Sequence, residues 1–321
     1  LWALGHRLWG WQDAMPTYLL TSTLAGALFL YALFRLADLI GRTRAEKGLT
    51  VGLVISMGLM QFFFGYAENY PLMTAVMLVY FCLAVRCLRR EGSLAAAATA
   101  LALCHALHPA SLALVPSLAY LSWQRRTDGL GSLLTSIVLP YALIGGGTVA
   151  LMTGGGHGLD KLLTTDRPGG GDARMFVPLF QISTEWQRYT MFSWAHLLDI
   201  LNEQLLVAPV TMPSLVLIML LAWPQVRSAW RAATEIRFFA LAAVFYLVLT
   251  LVWNPDYGGR RDWDLFAPAY LPATLLLACL LPRALAPRER LASVGGALIG
   301  SSLLHTAAWV YSNTRPWEWP T

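Results

Sequence analysis

The sequence predicts an all-α polytopic membrane protein, and three observations carry that prediction. Apolar residues make up 57% of the chain and charged residues only 13%, about half the charged share of an ordinary soluble domain. The apolar residues gather into about ten runs, each near the roughly 17–25 residues that a helix needs to cross a bilayer. The charged residues fall between these runs, and successive connections differ in sign.

The runs cover roughly 17–41, 48–65, 71–88, 93–108, 109–124, 132–152, 205–226, 237–254, 265–282 and 290–311. When alternate connections are placed on opposite sides, one side collects fifteen basic and six acidic residues, from Arg35 to Arg290. The other side collects eight basic and twelve acidic residues. The positive-inside rule makes the first side cytoplasmic. Both chain ends then face outward. The net charge of +5 is therefore a signal of topology and not of a nucleic-acid surface. All thirteen tryptophans lie within a few residues of a span end or in an external loop, as indoles at headgroup depth do.

Residues 1–16 carry Trp2, Trp9 and Trp11 with Arg7 and Asp13, and read as the end of an external amphipathic segment. These side chains interrupt any apolar core, so no signal-peptide pattern is present. The runs 48–65 and 71–88 form a hairpin whose external tip, YAENYP, carries Glu68. An ionisable group at that depth is a functional candidate, against the simpler role of complementing the dipole of the next helix.

The runs 93–108 and 109–124 are short, and sixteen helical residues cover only about 24 Å. CHALHPAS between them places His105 and His108 inside the membrane outline, at the floor of an external cavity. They share one face if the helix continues through both. With no carboxylate nearby in sequence they suit hydrogen bonds to a sugar or phosphate, or plain packing, better than a metal. His305, near the external end of the last run, is a further cavity candidate.

Residues 153–204 form the long external loop. Lys161, Arg167, Arg174 and Arg188 alternate there with Asp160, Asp166, Asp172 and Glu185, which reads as a solvated surface or as a lid over a substrate. The loop ends in an amphipathic helix over about 193–205, where Trp194, Leu197, Leu198, Leu201 and Leu205 repeat at helical steps. That helix is expected to lie in the membrane plane. No soluble domain is expected, so residues 1–321 read as one membrane domain. The four cysteines sit in apolar runs without a ligand spacing and read as packing residues. The three glycine triplets are not phosphate loops, since none is followed by Lys-Ser/Thr.

The richest stretch is WNPDYGGRRDWDLFAPAYLP, residues 253–272, with Asp256, Arg260, Arg261, Asp262 and Asp264. Pro255, Gly258 and Gly259 break helix before it, and lipid cannot satisfy such a backbone or such charges. Arg260 and Arg261 suit a phosphate, because guanidinium forks match its oxygens. Asp262 or Asp264 suits a base, or a ligand to a divalent cation (Mg or Mn) bridging a lipid phosphate. The plainer alternative is an Arg–Asp network that pins the loop.

Three stretches together resemble the membrane glycosyltransferases of the GT-C superfamily, in particular the branch that uses polyprenyl-phosphate sugars, such as the protein mannosyltransferases and aminoarabinose transferases. They are residues 24–90, with LFRLADLIGR and the YAENYP tip, then SWAHLLDILNEQLLVAPVTMPSLVLIML, and then RRDWDLFAPAYLP. The resemblance implies an enzyme of the cell envelope, in the bacterial inner membrane, with its site facing the periplasm or exterior. Its partners would be a lipid-linked sugar donor, membrane lipids and other membrane proteins. A carboxylate would take the acceptor's proton while the sugar carbon is inverted, with cationic side chains or a metal on the departing phosphate. In that superfamily the base lies in the external loop after the first span. The resemblance thus places one span ahead of Leu1, for eleven in all, and leaves Asp13 as the only carboxylate within residues 1–16. Glu68, Asp262 and Asp264 are the catalytic candidates in this sequence. Asp256, Arg260, Arg261, His105, His108 and His305 are the substrate-binding ones. A transporter or flippase for a lipid-linked substrate, or a non-catalytic subunit of a larger complex, is the competing class. Transport needs polar groups across the midplane, and few are present.

Overall fold

The computed structural model describes residues 2–156, 175–184, 187–255, 262–285 and 288–314. Among them the regular structure is helical, apart from one isolated antiparallel bridge between Phe176 and Trp253. In chain order the helices are α1 (Trp2–Trp9), α2 (Met15–Ile40), α3 (Arg44–Ile55), α4 (Tyr70–Leu88), α5 (Leu94–Leu107), α6 (Val115–Gln124) and α7 (Leu130–Gly154). Then follow α8 (Trp194–Val207), α9 (Thr211–Leu221), α10 (Trp223–Ala232), α11 (Thr234–Val252), α12 (Trp263–Phe266), α13 (Tyr270–Ala284) and α14 (Arg288–Asn313).

Six helical segments are long and apolar enough to cross a membrane: α2, α4, α7, α11, the continuous run Trp263–Ala284, and Glu289–Asn313 within α14. The pair α8 and α9, bent by 101°, makes a seventh if it counts as one span. The chain is an integral membrane protein on this composition. Fewer helices reach spanning length than the ten runs expected from the sequence, and the differences fall in three places.

Residues 48–65 break at Ser56, which ends α3. Met57 is extended, and the chain resumes as a 3-10 helix over Gly58–Phe63. The Ser56 carbonyl is taken up by α14, where the Ser302 and Thr306 hydroxyls both donate to it, at 3.0 and 2.6 Å. Such replacement partners make a break tolerable in an apolar setting. The runs 93–108 and 109–124 divide at His108, whose extended backbone (φ −158°, ψ 128°) follows from the proline after it, and neither forms a helix of spanning length. A 3-10 helix over Pro109–Leu114 then leads into α6. Residues 205–226 hold the 101° bend.

α4 lies at the centre, against α2 on one side and α5 on the other, and α5 packs on α7. α11 packs along α13. The interior is aromatic: Phe29, Phe62, Phe81, Phe238, Phe239, Tyr80 and Tyr246 are fully buried. Helix α7 is the opposite case. Only 6% of its apolar window is buried, against 83% for Trp263–Ala284, so its leucines face outward.

Charge divides the bundle into two ends. At one end, Arg90 pairs with Asp128 at 3.2 Å and Arg283 with Glu235 at 3.4 Å. There also Arg125 donates to the carbonyl of Gly92 and Arg237 to the Tyr120 hydroxyl. At the other end aromatic rings and the Asp264 carboxylate help to join the helices.

The break after α3 yields a test. A Cβ on Gly58 would come within 2.3 Å of the Trp309 ring and 3.1 Å of the Leu206 carbonyl. Gly58→Val is expected to destabilise the protein by about 1–3 kcal/mol, as overpacking does. The check is a lower melting temperature in detergent, read by loss of the monodisperse peak.

Candidate functional site

The YAENYP tip and the segment opening at Asp262 meet at the aromatic end. The 3-10 helix over Gly58–Phe63 delivers the tip to that end, and Phe62 anchors it. The Phe62 ring stacks on Tyr70 at 5.8 Å and on Trp263 at 5.2 Å. Trp263 also meets Tyr66 edge-on and packs against Trp309 of α14 at 4.7 Å. These rings hold three distant parts of the chain in register.

On this platform the Tyr66 hydroxyl donates to Asp264 Oδ2 at 2.6 Å, across 198 residues of sequence. Asp264 Oδ1 accepts the backbone N–H of Leu265 at 3.0 Å. Both carboxylate oxygens are thus engaged and the side chain is buried, so Asp264 is an orienting group. Burial and this hydrogen bond push the Tyr66 phenol well above its ordinary value.

Glu68 sits two residues beyond Tyr66 and keeps an exposed face. Burial of its inner side, and then the nearby Asp264 charge, raise its carboxyl above the usual glutamate range. A role in capping α4 is not what the geometry gives. The cap is Asn69, and no acidic residue stands in the first turn. Of the two carboxylates, Glu68 is therefore the one available to a ligand.

His108 lies under this group, its ring 4.9 Å from that of Tyr70. Its Nδ1 accepts the Ala110 N–H at 3.2 Å, which starts the short 3-10 helix. His105 points elsewhere. It bonds Ser111 Oγ at 2.8 Å and its ring faces Tyr141 of α7. The shared helical face expected for the two histidines is lost because α5 stops at Leu107. His305 is partly buried one turn before Trp309, with its Nδ1 unpartnered. Asp262 directly precedes α12. Asp256, Arg260 and Arg261 lie outside the described residues, as do Lys161, Arg167 and Arg174 of the long loop. Among the described residues no group of three or more His, Cys, Asp or Glu stands at metal-binding geometry.

Glu203 stands out only in the structure. It is on α8, only 3% exposed, and its Oε2 has no hydrogen-bond partner. Helix α8 packs on α12, the turn that holds Asp264. The exposed side of α8 is apolar, with Trp194, Leu197 and Leu201, while its inner side carries His196 and Glu203. The stripe predicted for 193–205 is present, over Trp194–Val207, and it faces away from the protein. The loop that brings α8 here is pinned to the same region. Val177 N–H donates to the Val252 carbonyl at 2.8 Å, and Asn254 N–H to that of Met175 at 2.9 Å. No protein-family model, curated protein or solved structure matches this chain.

Proposed function

We propose that this protein is a membrane glycosyltransferase that moves a sugar from a polyprenyl-phosphate donor to an acceptor hydroxyl on the non-cytoplasmic face. One observation carries the reading. A carboxylate with an exposed face and a raised pKa, Glu68, stands beside an oriented one, Asp264, at the end of the bundle away from the basic clusters. A general base works best with a pKa near the working pH, and Glu68 is shifted in that direction.

In this scheme the acceptor oxygen bonds to the anomeric carbon and gives its proton to Glu68. The bond from that carbon to the phosphate oxygen breaks, its electron pair goes to the phosphate, and polyprenyl phosphate leaves. Asp264 holds Tyr66 in place at the edge of the site. Arg260 and Arg261, which directly precede Asp262 in the chain, neutralise the departing phosphate. The GT-C likeness of three sequence stretches supports the same chemistry and an inner-membrane setting facing the periplasm. Ten crossings fit if four are made by broken or short segments: α3 with its 3-10 helix, α5, α9, and the Pro109–Leu114 turn with α6. The last of these measures about 27 Å, from 3-10 and α-helical rises of about 2.0 and 1.5 Å per residue. The α8 helix, at about a right angle to α9, fits a place in the membrane plane.

The test is transfer itself. Protein reconstituted in vesicles is given radiolabelled polyprenyl-phosphate hexose or pentose, and release of polyprenyl phosphate is followed. Arg260→Ala and Arg261→Ala are each expected to weaken donor retention about tenfold or more, the worth of a charge-assisted hydrogen bond. Unchanged retention in both variants removes the phosphate role. No turnover of any such donor removes the transferase reading.

A further inference from the structure

Helix α10 carries a surface that the proposed reaction does not use. Its Trp223, Pro224, Arg227, Ser228, Arg231 and Ala232 line an open groove of about 530 Å³. The opposite face, Val226 and Ala229, is buried against the bundle. Arg227 and Arg231 are one helical turn apart and both exposed. No hydrogen bond or ion pair engages either among the described residues. The carboxylate at the start of the next helix, Glu235, is already held by Arg283 at 3.4 Å. Two guanidinium groups and a hydroxyl therefore converge on one groove without an anion from the protein.

The surroundings identify the occupant. Immediately before the groove, Leu220 and Leu221 of α9 are 72% and 81% exposed, a lipid-facing apolar surface. Trp223 and Trp230, at the two ends of α10, are exposed as well, and indoles of this kind sit at headgroup depth. The groove thus begins where apolar surface gives way to cationic surface, at the end of the bundle that holds the basic clusters. Basic pockets at such a boundary bind anionic headgroups.

We propose that the α10 groove binds the phosphate headgroup of an anionic membrane lipid in the leaflet at the basic end. Arg227 and Arg231 clamp the phosphate oxygens, Ser228 donates a hydroxyl, and the acyl chains run along Leu220 and Leu221. The site is independent of Glu68 and Asp264 and stands whether or not the transferase reading does.

The experiment is native mass spectrometry of the purified, delipidated full chain, titrated with phosphatidylglycerol or phosphatidylcholine. The wild-type protein is expected to retain phosphatidylglycerol in preference to phosphatidylcholine. Arg227→Ala/Arg231→Ala is expected to lower that preference about thirtyfold, from roughly 1 kcal/mol per basic residue near an anionic surface. Because both side chains are exposed, the double variant is expected to fold, which an unchanged size-exclusion profile checks. Arg44→Ala, which removes another exposed cation, is expected to keep the preference. Equal retention of the two lipids overturns the proposal, as does an equal loss in the Arg44 variant. Displacement by millimolar inorganic phosphate would mark a free-anion site and also overturns it.

Discussion

Glu68→Gln is expected to lower the turnover of a polyprenyl-phosphate sugar by about 10²- to 10⁴-fold, the usual contribution of a general base. The amide is nearly isosteric and keeps hydrogen-bonding capacity, so the loss isolates proton acceptance from shape. Expression and donor binding are expected to stay at wild-type levels, since no cap bond or first-turn position ties Glu68 to the stability of α4. Wild-type turnover in this variant would return the residue to an ordinary surface role.

The pH dependence gives an independent reading of the same group. Burial and the Asp264 charge raise the Glu68 pKa in the folded protein above its ordinary value. The acidic limb of the rate profile is therefore expected above the normal glutamate range, and Glu68→Gln should flatten it. The stability sign runs the other way from a salt-bridged carboxylate. A raised folded pKa means the folded state holds the proton more tightly than the unfolded one. Stability from this group is full below the unfolded pKa and declines as pH rises through the folded value. Glu68→Gln should match the wild type at low pH and be slightly more stable above that window.

The long apolar helices were legible because length and hydropathy alone decide them, and α2, α4, α7, α11 and α14 fall close to the expected bounds. The breaks differ in origin. At His108 the signal is local, since Pro109 excludes the helical backbone before it, and the runs 93–108 and 109–124 divide there. At Ser56 the cause is not local at all. The hydroxyls that take its carbonyl lie 246 and 250 residues away. The meeting of the YAENYP tip with Asp264 was expected from sidedness, because both fall on the acidic side of the charge pattern. The partner atom, Tyr66, was not foreseen, since a tyrosine beside a membrane surface ordinarily reads as an interfacial anchor. Glu203 was hidden by a rule that inverts in lipid. On an amphipathic helix in water the apolar stripe faces the core and the polar side is wet. On α8 the stripe faces outward, and the polar side becomes the buried one.

That inversion makes Glu203 the second strong test, because stability and activity should move in opposite directions. A carboxylate 3% exposed with an unpartnered oxygen costs about 1–3 kcal/mol relative to a well-packed apolar side chain of similar size. Glu203→Met is therefore expected to raise the melting temperature in detergent. If Glu203 contacts substrate beside α12, the same variant should lose transfer by about 10²-fold or more, since a buried polar contact made only with the ligand is gone. Glu203→Gln separates charge from hydrogen bonding: retained activity with a higher melting temperature would mean the site needs a polar atom and not a carboxylate. A stabilised Glu203→Met protein with full turnover would remove Glu203 from the site. A destabilised one would show that the carboxylate has partners within the protein, and that its burial serves the fold.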